Sequence, residues 1–175
     1  MFNRINIYSI IRDHFKTLRN LNGSSGSIYW KDFIVFILIP LIVSTFLSFK
    51  DYSFENQLGN LIAGISIFGG FLFNLLAIIY GQMDKIKSDT ESEKDNKIKK
   101  IFIKEIHVNI SFCIVLSILI VLSLLLTSID IPMNSYKNII KKIIITVNYF
   151  LMSLFLLTLL MILNRVYILL KRDSE

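Results

Sequence analysis

Cysteine is almost missing from this chain. Cys113 stands alone inside an apolar run, so neither an intramolecular disulfide nor a cysteine metal cluster can be built. Charge is missing from four long stretches, 33–49, 58–83, 106–128 and 143–163, none of which holds an Asp, Glu, Lys or Arg. Ion-coupled transporters and proton channels use an ionisable group at membrane depth, and here there is none. No inverted pair of interrupted apolar segments occurs either, which speaks against secondary transport. HExxH, GxSxG and the glycine-rich nucleotide fingerprints are also absent. No catalytic residue, metal ligand or cofactor is expected.

What the chain does contain is apolar bulk, with its charge gathered into blocks. It is 54% hydrophobic over 175 residues, which marks an integral membrane protein with no room for a sizeable soluble domain. The expected fold is an all-α membrane protein: four transmembrane helices, an N-terminal amphipathic helix and a charged cytoplasmic loop. Residues 1–27 form a cytoplasmic arm and flexible turn. Residues 28–170 form the transmembrane domain with the loop at 84–105, and 171–175 form a tail.

The segment 58–83 organises the rest. At about 1.5 Å per helical residue it crosses a hydrocarbon core of about 30 Å. Gly59, Ala63, Ser66, Gly70, Asn74, Ala77 and Gly81 recur at steps of four and three, so they share one helix face. Small residues let another backbone approach closely. Asn74 near mid-membrane has to face protein or water. The face is therefore a packing seam within one bundle, a subunit interface or a pore lining.

In the N-terminal arm, Ile7, Ile10, Ile11, Phe15 and Leu18 gather on one side of a helix, and Arg12, Lys16 and Arg19 on another. That pattern suits a membrane surface or a partner protein. His14 lies at the margin of the apolar side and reads as structural. Asn22–Ser27 is a turn. Tyr29 and Trp30 anchor the first span, which Pro40 should kink. Residues 90–96 are expected to form a loop tip, with helix from Lys97 into the third span. Ile98, Ile101, Phe102 and Glu105 share a face there that could meet a partner. Serines and threonines within the spans can return hydrogen bonds to their own helix. Arg165 is expected to snorkel to the interface beside Tyr167.

Four crossings put both termini and the long loop on one side, with fifteen of the nineteen lysines and arginines. By the positive-inside bias that side is the cytoplasm, and the expected location is the bacterial inner membrane.

Several short runs together resemble a known family. They are Trp30-Lys31-Asp32 leading to Pro40, Phe73-Asn74-Leu75-Leu76, Glu105 followed by Asn109-Ile110-Ser111-Phe112, and the last span ending LLMILNRVY at Tyr167. The chain resembles the KwaA-type membrane subunits of Kiwa defence systems, small four-span inner-membrane proteins encoded beside bacterial anti-phage genes. The resemblance implies an oligomeric subunit that senses infection and works with a cytoplasmic DNA-binding effector, and it brings no catalytic residues. Three functions stay open: a non-enzymatic sensor or scaffold docking a cytoplasmic effector, a pore-forming effector that depolarises the membrane, and a holin-like or export protein. The expected partners are the bilayer, further copies of the chain and an effector protein, without direct nucleic-acid binding.

Overall fold

A computed structural model describes residues 6–18, 30–50, 55–88, 93–128 and 137–173. Among these the chain is helical throughout: α1 (Ile7–Thr17), α2 (Trp30–Phe49), a short 3-10 turn (Glu55–Gln57), α3 (Leu58–Ser88), α4 (Glu93–Thr127) and α5 (Lys137–Asp173). In an apolar solvent each backbone N–H and C=O must be bonded within its own segment, and a helix does this.

Three helices contain stretches long and apolar enough to cross a membrane: Leu58–Met83, Lys99–Thr127 and Asn138–Lys171. The apolar part of α2, Ile34–Phe49, is shorter. Helix α2 runs unbroken through Pro40, whose side chain is buried. The central polar stretch is more helical than its composition suggested. Helix α3 continues to Ser88 and α4 already begins at Glu93, so Glu93–Asn96, expected in the loop tip, are the first turn of a helix. Residues 84–88 and 93–98 contain no glycine or proline, and acidic Glu93 and Asp95 suit a helix N-terminus. Asn22–Ser27, Tyr29, Arg19 and Thr90–Ser92 lie outside the described residues.

The helices pack in the order α3, α4, α5, α2, with α1 laid against α4. Helix α4 is the centre, with 44% of its most apolar stretch buried against 17% for α3. Its buried residues Ile103, Ile106, Ile110, Cys113, Leu116, Ile120 and Leu124 follow helical spacing and meet Leu72 and Ile79 from α3 and Phe155 and Ile162 from α5. Within α4, Ser111, Ser117 and Thr127 donate to carbonyls three or four residues back at 2.8–3.0 Å, the self-satisfaction expected of hydroxyls in a span.

Candidate functional site

Polar groups converge where α1 crosses α4. Helix α1 is capped at its start by Asn6, whose side chain accepts from the Ser9 amide at 3.1 Å. Its apolar side does not lie free for a membrane. Ile10, Ile11, Phe15 and Leu18 pack into the core of the bundle, and only Ile7 of that set is exposed.

His14, expected at the margin of this face, is at its centre and 0% exposed. Its ring stacks on Phe112 of α4, with centroids 3.8 Å apart and planes 10° apart, and meets Phe36 of α2 edge-on at 6.1 Å. Its Nδ1 lies 2.9 Å from Asn109 Oδ1. A carbonyl oxygen only accepts, so Nδ1 carries the proton and Nε2 is bare. Thr17 Oγ1 is 2.9 Å from the same Asn109 oxygen and 2.7 Å from the His14 carbonyl, so its single proton serves one acceptor at a time. Two buried atoms of this cluster, His14 Nε2 and Asn109 Nδ2, have no hydrogen-bond partner.

Helix α5 closes the cluster. Arg165 does not snorkel outward: it forms an ion pair with Glu105 of α4 and donates to the Thr17 carbonyl at 2.7 Å. A guanidinium on the last-turn carbonyls of α1 satisfies a group the helix leaves open and opposes the negative end of its dipole. The Glu105 and Arg165 side chains are 15% and 13% exposed, a burial that favours pairing over solvation. Glu105 is thus committed within the chain rather than offered to a partner, while Ile101 on the same face stays exposed.

The basic side of α1 faces outward. Asp13 accepts from Lys16 at 2.9 Å and lies 3.6 Å from Arg12. These cations hold its carboxyl below the usual range, the Lys16 hydrogen bond contributing most. Beside them, between α1 and α4, opens a pocket of about 500 Å³ lined by both charged and apolar side chains.

At the opposite end of the bundle, buried Asn148 donates to the Ile144 carbonyl at 3.0 Å and to Thr127 Oγ1 at 3.3 Å, and Thr146 donates to Ser48 of α2 at 2.8 Å. These bonds tie α5 to α4 and α2. Among the described residues no group of three or more His, Cys, Asp or Glu is placed to hold a metal ion.

The small-residue stripe of α3 occupies one face as its spacing requires, but that face is not the packing seam of this bundle. Gly59, Ala63, Ser66, Gly70, Asn74, Ala77 and Gly81 are all exposed in the single chain. A side chain added at Gly70 would meet nothing within 4 Å. Contact with α4 is made from the opposite side, through Leu61, Ile65, Leu72, Leu76 and Ile79. The close approach of α3 to α4 is at buried Gly69, where an added Cβ would lie 3.1 Å from Ser117 Oγ. Sequence spacing found the stripe. It did not find the Asn109–His14 contact or the Glu105–Arg165 pair, whose only signal was polar residues at the ends of otherwise apolar spans. No protein-family model, curated protein or solved structure matches this chain.

Proposed function

We propose that the chain is a non-enzymatic, oligomeric subunit of the bacterial inner membrane that acts as a sensor or scaffold in anti-phage defence and docks a cytoplasmic effector. In this reading α2 is a fourth crossing beside the three longer helices, and both termini are cytoplasmic. The observation that carries the oligomer is Asn74. It sits midway along an apolar helix on an exposed face of small residues. In lipid an amide in that position is unfavourable unless protein or water meets it. A second subunit brought close along Gly59, Ala63, Ser66, Gly70, Ala77 and Gly81 would do so. The docking role rests on the outward basic side of α1, where Arg12 and Lys16 are exposed, and on the family resemblance.

The test compares two neighbours on α3. Gly70→Leu adds bulk on the stripe and should shift the protein from oligomer to monomer in mild detergent. Phe71→Leu, at a side chain that is exposed outside the stripe, should leave the oligomer as it is. If both variants migrate as the parent does, the interface is elsewhere.

Asn74 also favours a second reading, a conduit in which a ring of these amides is the polar level of an apolar passage. Potassium-loaded liposomes separate the two. The scaffold leaves them sealed, whereas a leak from the parent that Asn74→Leu abolishes would establish the pore.

A further inference from the structure

We propose that the pocket between α1 and α4 seats the phosphate of an anionic phospholipid, making this end of the bundle a lipid-headgroup site. Arg12 and Lys16 reach it from α1 and Lys104 from α4. Two carboxylates also line it, but neither repels an anion as a bare charge would. Asp13 is shared between Lys16 at 2.9 Å and Arg12 at 3.6 Å, and Glu105 is neutralised by Arg165. Lys104 is exposed and makes no ion pair among the described residues. The lining is therefore net cationic, with one ammonium left for a ligand.

The position selects the ligand. Along α4 the pocket spans Ile101 to Val108, the passage from the lysine-rich first turns to the uncharged run that begins at Ile106. This is the level of headgroups and the first acyl carbons. Ile101 and Val108 give the pocket an apolar wall. A glycerol backbone and chain can use that wall, and inorganic phosphate cannot. Cations at such a boundary attract anionic lipid within about one Debye length.

The inference goes beyond the effector docking proposed for the basic arm, giving its cations a lipid ligand, and it rests on the membrane placement. Full-length protein is purified in neutral detergent and placed in nanodiscs of equal phosphatidylcholine and phosphatidylglycerol. The lipid retained after gentle extraction is then read by native mass spectrometry. Phosphatidylglycerol should be retained in preference to phosphatidylcholine, and millimolar inorganic phosphate should not displace it. Arg12→Gln with Lys104→Gln should lower that retention roughly fivefold for each charge removed. Lys50→Gln, at the other end of the bundle, should leave it unchanged.

Equal retention of the two lipids overturns the site, as does a double variant that retains phosphatidylglycerol like the parent. Displacement by inorganic phosphate overturns the lipid assignment in favour of a soluble anion. A chain that fails to enter nanodiscs at all overturns the membrane placement itself, an outcome distinct from loss of the headgroup preference.

Discussion

Burial holds the His14 imidazole uncharged. Its pKa is pushed down from 6.5 to about 4, first by loss of solvent and further by the positive charge of Arg165, against an opposing contribution from the Asn109 hydrogen bond. The bare Nε2 has no partner, so a proton added there would be a buried, unbonded charge. Because the folded value lies below the unfolded one, the released arm takes up the proton first. The docking of α1 is fully stabilised above about pH 6.5 and loses that stabilisation as the pH falls toward 4, by about 3 kcal/mol in total. Amide protection factors over Ile7–Thr17 should therefore fall between pH 7 and pH 5 while those of α5 hold. His14→Phe, which can keep the stack on Phe112 without titrating, should remove the pH dependence. Equal protection of the parent arm at both pH values would show that His14 does not govern docking. That His14 is structural was legible from its place on the arm. Its depth was not, because that depends on Phe36 and Phe112, which belong to other helices.

Helix α3 has two faces that sequence alone treats alike, and they divide at adjacent glycines. Gly69 faces α4, and the Ser117 hydroxyl it meets is itself held by the Ile114 carbonyl at 2.8 Å. Gly69→Leu should force the two helices apart and destabilise the fold by about 1–3 kcal/mol, measured by reversible unfolding in detergent. Gly70→Leu should change the stability of the monomer by no more than about 0.5 kcal/mol, since nothing lies near it. The opposite ranking would mean that α3 turns its Gly70 face, not its Gly69 face, toward α4. Spacing singled out Gly70 because it belongs to a stripe, and passed over Gly69. In water the apolar face of a helix is the packed face. In lipid every face is apolar, so hydropathy does not say which one meets the same chain.

For the whole molecule, the polar contacts sort the chain to two ends of one bundle. The C-terminal end of α1, Glu105 and Arg165 lie together at one, and Ser48, Thr127, Thr146 and Asn148 at the other. That arrangement supports a topology in which the N-terminal arm, the start of α4 and the end of α5 share a compartment, the side that also carries most of the lysines and arginines. A reporter that is active only in the periplasm, fused at Glu175, should give no signal. A strong signal there would overturn the topology.

Sequence by itself determined the helical class and three apolar stretches long enough to cross a membrane, because in hydrocarbon a span must be long, uncharged and bonded within itself, and these are properties of consecutive residues. It also located the stripe on α3, since spacing along one helix sets which side chains share a face. Only the tertiary structure decided which face of α3 packs, that α1 docks on α4, and that Arg165 turns inward. Those outcomes join residues remote along the chain: His14 and Asn109 are 95 positions apart, Glu105 and Arg165 60, Thr17 and Arg165 148. Polar groups at the edge of an apolar core need partners, and His14 Nδ1, Glu105 and Arg165 met theirs on other helices. Which partner met that need depended on the order in which α3, α4, α5 and α2 pack, and no local pattern encodes that order.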